Sequence, residues 1–150
     1  MKLTVLTKLD DVRAKPYRAH PTDAGADLYS STEVALYPGD TKLIDTGVAV
    51  KVPAGYVGLV YNRSSQGKIH VSIPHAVGVI DADYRGNIKV LLQNNGEDPY
   101  FISRYSTRIA QLVISPVMLA EFKGWDATTE VWDDTDRGAG GFGSTNKGTK

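Results

Sequence analysis

Two carboxylates, an aromatic ring and a base fall within five residues in the stretch Asp81-Ala82-Asp83-Tyr84-Arg85. An apolar run, Ala76 to Ile80, leads into them, and Gly86 closes the turn. Beyond it Ile88, Val90 and Leu92 alternate with Asn87, Lys89, Leu91 and Gln93. Apolar run, Gly-containing turn and alternating run together predict a β-hairpin with the acids at its mouth. A carboxylate at such a mouth can act as a general base. The same Asp can equally be turn chemistry, accepting local backbone N–H groups.

Three other segments could hold phosphate. Arg63-Ser64-Ser65 follows an apolar strand and offers a guanidinium and two hydroxyls. Arg108 and Gln111 offer a guanidinium and an amide. They stand an odd number of residues apart, so a bulge or turn must intervene for them to share a face. The tail from Arg137 to Lys150 is Gly-rich, with Phe142 its single aromatic and Arg, Lys, Ser and Thr around it. Such a tail cannot make a core, and reads either as a disordered end or as backbone N–H groups that crowd an anion. It is not a Walker A loop, since no Gly-Lys-Ser/Thr opens a helix there. Together, these segments and the acid-bearing hairpin suggest a polyphosphate held opposite a general base. A triphosphate calls in turn for Mg²⁺, a hard cation often held mainly by substrate phosphates. Earlier in the chain, Asp23-Ala24-Gly25-Ala26-Asp27-Leu28-Tyr29-Ser30 has small residues that let the backbone run close to something else. Asp27 there reads by itself as a strand-end cap.

The elements that must position these groups are strands. Runs at Lys2 to Lys8, Val34 to Leu36, Lys42 to Ile44, Thr46 to Val52, Tyr56 to Tyr61, Ile69 to Ile73, Phe101-Ile102 and Ile109 to Val117 are separated by turns such as Pro38-Gly39 and Pro53-Ala54-Gly55. No window has a helical period beyond one turn within Ser106 to Val113. Many short strands with Gly/Pro turns predict an all-β barrel or sandwich. The chain is expected to divide into a barrel over 1–120, a linker over 121–136 with Trp125 and Trp132 as anchors, and a Gly-rich arm over 137–150.

Composition limits the classes. The 150 residues suit one domain. There is no Cys, hence neither disulfide framework nor thiolate site, and three scattered His make a structural zinc improbable. Seventeen basic residues balance seventeen acidic ones, which argues against a nucleic-acid binder. No apolar run reaches the ~20 residues of a membrane span. The expectation is a soluble cytoplasmic protein.

Five segments in this order resemble the motifs of the trimeric deoxyuridine triphosphatases (dUTP diphosphatases): Asp23 to Ser30, Arg63-Ser64-Ser65, Gly78 to Gly86 with the following strand, Arg108 to Leu112, and Arg137 to Thr145. They span most of the chain. The resemblance implies a jelly-roll-like β-barrel, a homotrimer with sites between subunits, and hydrolysis of dUTP to dUMP and pyrophosphate. That reaction limits uracil incorporation into DNA and supplies dUMP for thymidylate synthesis. It further implies that Asp81 activates the water that attacks the α-phosphorus. Tyr84 would lie under the deoxyribose, excluding a 2′-hydroxyl. Backbone near Val79, Ile80 and Lys89 would read the uracil edge. Arg63, Ser64, Ser65 and Gln111 would bind the phosphates, and Arg137 would clamp the γ-phosphate. Phe142 would stack on the base, beside Gly143 and Ser144. Asp27 would hold waters of a Mg²⁺ shell carried on the substrate. Asn62 and Ser65 stand where many relatives have Pro and Gly. His75 stands where many have Asn, and is either a base contact, donating to a carbonyl, or a loop residue. The resemblance leaves two other functions to weigh, a dCTP deaminase of related fold and a regulatory nucleotide-binding module; Asp81 and the Arg137 to Thr145 segment count against the first.

Overall fold

The structure is a computed structural model that describes residues 3–142. Ten strands carry it: β1 (Leu6–Leu9), β2 (Ala26–Tyr29), β3 (Val34–Leu36), β4 (Thr41–Lys51), β5 (Tyr56–Tyr61), β6 (Val71–Ser72), β7 (Val77–Ile80), β8 (Asn87–Asn94), β9 (Tyr100–Ile102) and β10 (Arg108–Pro116). One helical turn, α1 (Ser64–Gly67), and a 3₁₀ turn at Val12–Ala14 complete them. The strands form a four-stranded sheet in the order β1-β4-β8-β6, a second in the order β2-β10-β5-β7, and a two-stranded sheet β3-β9. All strand pairs are antiparallel. The fold is all-β and jelly-roll-like.

Alternation builds the core. Along β8, Ile88, Val90 and Leu92 are buried while Lys89 is exposed, as the period of two requires. They pack with Leu28, Leu36, Val48, Val60, Ile102 and Ile109 in one cluster. Two polar side chains in that interior are satisfied by carbonyls of other segments. Thr46 donates to Ile88 O at 2.8 Å, and Asn94 donates to Leu36 O at 2.9 Å.

Several elements depart from the sequence reading. The predicted hairpin around Asp81 is not one: β7 pairs with β5, and β8 pairs with β4 and β6. The turn between them crosses from one sheet to the other. Two adjacent amphipathic runs and a Gly turn are common to both arrangements, so local pattern cannot separate them. The runs Lys42 to Ile44 and Thr46 to Val52 are one eleven-residue strand, β4, with a register shift between Asp45 and Ala49. Gly47 takes φ +69° there, and its N–H donates to the Asp45 carboxylate at 2.7 Å. Strand one is shorter than expected and begins at Leu6; Lys2 lies outside the described residues. The single helical turn is at Ser64–Gly67, not within Ser106 to Val113, where β10 runs.

The chain divides into two compact units, Met1–Leu119 and Ala120–Lys150. Within the second, Trp125 and Trp132 meet edge to face, with ring centroids 5.8 Å apart. Trp125 also donates its indole N–H to Glu130 O at 3.1 Å.

Candidate active site

The predicted site residues of the first unit gather in two clusters. The first surrounds the sheet-to-sheet turn. Val79, Ile80, Asp81, Tyr84 and Lys89 line a cleft of about 150 Å³. β7 is the outer strand of its sheet, bonded to β5 on one side only. Among the described residues its other edge pairs with no strand, which leaves backbone donors and acceptors there for another partner. Tyr84 donates its hydroxyl to Asn87 O at 2.9 Å, which folds the ring back over the turn. A Cβ on Gly86 would sit 2.8 Å from Tyr84 Cζ, so only glycine lets the ring lie there. Arg85 donates to Ala82 O at 2.7 Å and to Tyr84 O at 2.8 Å, bracing the same loop.

His75 precedes this cluster in the chain and is exposed. Its Nδ1 lies 3.0 Å from Val77 O. A carbonyl only accepts, so Nδ1 is the donor in this contact.

The second cluster sits where β2, β10 and the end of β5 meet. Asp27 on β2 accepts from Arg63 Nε at 2.8 Å and from Arg108 Nη1 at 3.0 Å. Arg63 Nη2 adds a longer bond of 3.4 Å to the second carboxylate oxygen. The Asp27 side chain is 19% exposed, and it joins two arginines from different elements. Its role as a strand-end cap is thus replaced by a charge-neutralising one. Arg63 Nη1 reaches Ser65 Oγ at 3.4 Å, and Ser64 and Ser65 are exposed on α1. Arg108 also stacks over the Tyr17 ring, 5.9 Å from its centroid.

The bulge that Arg108 and Gln111 require is present. The pairing of β10 with β2 shifts register between Arg108 and Ala110. Ile109 and Ala110 are both buried, while Arg108 and Gln111 are both partly exposed. Gln111 donates to Asn62 O at 2.9 Å. A side chain on Gly25 would collide with the Gln111 amide. Gln66, which the sequence reading passed over, is 2% exposed inside this cluster. Half-buried Tyr100 lies alongside: burial pushes its phenol up, and the Arg63 charge and Gln66 amide partly offset this.

The two clusters lie at opposite ends of β5. Ile80 pairs with Gly58 near the start of that strand, whereas Arg63 follows its end. Five residues at about 3.3 Å each put roughly 17 Å between those points. One chain therefore does not bring Asp81 to its own Arg63.

The donor set of the site limits how Mg²⁺ could be held. Among the described residues, no group of three or more His, Asp or Glu side chains could hold a metal ion. Both Asp27 oxygens already accept from guanidinium groups. A carboxylate has about four lone-pair sites, so accepting from a metal-bound water remains open to it. This arrangement fits an ion carried on phosphates and not one caged by the protein.

In the second unit, Arg137 Nε donates to Gly140 O at 3.1 Å, and Phe142 is fully exposed with φ +48°. Gly143 and Ser144 lie outside the described residues.

Comparison with known proteins gives a consistent result. A profile of the dUTPase family matches residues 13–146. A deoxyuridine 5′-triphosphate nucleotidohydrolase of Corynebacterium glutamicum is 46% identical over 144 residues, covering 95% of this chain and 93% of that protein. One from Cutibacterium acnes is 48% identical over 134 residues, covering 88% and 85%. Among solved structures, the dUTPase of Staphylococcus bacteriophage 80alpha with dUPNHPP superposes with a TM-score of 0.82. Its identity is 34%, over 95% of this chain and 98% of the other. A mutant dUTPase of phage phi11 of S. aureus, described as coordinating a structural Mg(II) ion, gives a TM-score of 0.74 at 32% identity, covering 83% and 97%.

Proposed function

The chain belongs to the dUTPase family, and from that premise we propose how its residues divide the work of hydrolysing dUTP to dUMP and pyrophosphate. The carrying observation is the cleft that joins Asp81 and Tyr84 to the free edge of β7. Uracil lies against that edge, its polar atoms paired with backbone near Val79, Ile80 and Lys89. Cytosine presents the reverse pattern and would leave buried groups unpaired, which costs far more than a misplaced methyl. Tyr84 lies under the deoxyribose and leaves no room for a 2′-hydroxyl. His75 contacts the base edge. Asp81 orients and deprotonates the water that attacks the α-phosphorus, and pyrophosphate leaves.

Arg63, Ser64, Ser65 and Gln111 bind the phosphate chain, with Arg108 held beside them by Asp27. Bound to the substrate's phosphates, Mg²⁺ neutralises part of their charge, and Asp27 holds waters of its shell. Arg137 grips the γ-phosphate, and Phe142, followed by Gly143 and Ser144, covers the base and excludes water. Since Asp81 and Arg63 lie at opposite ends of β5, a complete site takes its base-side cluster from one copy and its phosphate cluster from another. A homotrimer with sites between subunits satisfies this by closed symmetry. The substrate belongs to the pool of DNA precursors, which supports a cytoplasmic location.

The test is pyrophosphate release with Mg²⁺ from dUTP, dCTP, dTTP and UTP. Turnover confined to dUTP is expected. Comparable turnover of dCTP or UTP would overturn the roles given to the β7 edge and Tyr84. Asp81→Asn keeps nucleotide binding but slows turnover by about 10²–10⁴-fold, the usual worth of a general base. Turnover near normal would remove Asp81 from that role.

A further inference from the structure

Gln66 is the one buried residue of α1; Ser64, Ser65 and Gly67 beside it are exposed. A primary amide in such a place must find partners, and it finds them at the cap of its own helical turn and on β10. Its Oε1 accepts from Arg63 N at 3.2 Å. Its Nε2 donates to Ile109 O at 3.0 Å. Ile109 lies at the bulge of β10, between Arg108 and Ala110, where the ladder with β2 changes register.

Backbone pairing does not fix the spacing here. The ladder between β5 and β10 ends at the Tyr61–Gln111 pair. Beyond it, the turn bearing Ser64 and Ser65 and the strand start bearing Arg108 are joined through side chains. Asp27 ties the two guanidinium groups together, and Arg63 Nη1 reaches Arg108 O at 3.4 Å. Of these links, only the Gln66 amide is fully buried, and both its bonds end on main-chain atoms. An apolar side chain of the same length would fill the volume without fixing a direction, because hydrogen bonds are directional and packing is not.

We propose that Gln66 is a positioning residue of the phosphate site: its side chain sets the spacing between the Ser64–Ser65 turn and the Arg108–Gln111 segment. It touches no reacting atom, and it acts through the groups it spaces. The inference rests on the reading above that those groups bind the triphosphate.

Two variants of the full chain separate positioning from core filling. Gln66→Met keeps the volume and loses both bonds. Gln66→Asn keeps the amide and loses the reach. Calorimetry with inorganic tripolyphosphate and with dUMP, together with KM and kcat for dUTP and thermal melting, gives the readout. If Gln66 positions the site, both variants bind tripolyphosphate about tenfold or more weakly and raise KM for dUTP, with dUMP affinity nearly unchanged. A folded Met variant with unchanged tripolyphosphate affinity would make Gln66 a core residue only and overturn the proposal. Equal losses for dUMP and tripolyphosphate would mean general loosening and overturn it too. If the Met variant does not fold, the Asn variant decides by the same criterion. Failure of the wild-type chain to bind tripolyphosphate, or to turn over dUTP, would instead overturn the reading of the site.

Discussion

Asp27 shows how one residue changes meaning once its neighbours are known. In sequence it is an acid among small residues. In the fold it accepts from Arg63 and Arg108, which arrive from 36 and 81 positions away. Hydrogen bonds with charged partners are about twice as strong as neutral ones, and removing one partner leaves the others uncompensated. Asp27→Asn is therefore expected to lower stability by about 1–3 kcal/mol, read by urea unfolding. An unchanged midpoint would mean that the two arginines are held by other contacts. Tyr100 offers a spectroscopic check at the same scale. Its phenol is pushed up, chiefly by burial. The folded state thus holds that proton more tightly than the unfolded chain. The associated stability is intact below the ordinary value of about 10 and is lost as pH rises through the raised value. In an ultraviolet titration of the eight tyrosines, Tyr100→Phe should remove a late-titrating component. Loss of an early component instead would contradict the burial.

At the scale of elements, irregularities in the strands do the positioning. The bulge in β10 turns Arg108 to the side of Gln111, and the spacing of those two residues required it. The runs Lys42 to Ile44 and Thr46 to Val52 read as two strands divided at Asp45, whereas one strand carries both through an irregularity that starts there. Thr46 is fully buried and Gly47 sits in the left-handed region. Gly47→Ala forces a Cβ into that conformation, 3.3 Å from Ser31 Cβ and 3.4 Å from Tyr105 Oη. A loss of about 1–2 kcal/mol is expected from backbone strain, visible as a lower melting temperature. No change would mean that the strand relaxes around the bulge. The segment after β7 carries the same lesson. Its strand–turn–strand pattern was legible, but its partners were not, since pairing depends on which sheet each strand joins.

Across the whole molecule, the proposed sharing of a site between copies follows from the separation of the two clusters along β5. An Asp81→Asn chain and an Arg63→Ala chain each lack one cluster. If sites form between copies, refolding the two together restores a substantial fraction of activity, because some interfaces combine both intact clusters. If each chain makes its own site, the mixture stays as inactive as its parts. Deleting Arg137 to Lys150 should leave the first unit folded and cut dUTP turnover severely, as the cover over the base is lost. A fully active truncation would give that segment no part in the reaction.

The all-β class, the core face of β8 and the donor and acceptor groups that Asp81, Tyr84, Arg63 and Gln111 can offer were set by sequence alone. Each rests on local facts: a period of two, a Gly turn, the donor and acceptor inventory of a side chain. The tertiary structure decided what depends on distant partners. It joined β7 to β5 and not to β8, placed Asp27 between two guanidinium groups, and buried Gln66 against the Ile109 carbonyl. It also set Asp81 and Arg63 at opposite ends of one strand. These contacts join positions tens of residues apart, and the free energy that selects among them comes from packing the whole core, which no window of sequence contains.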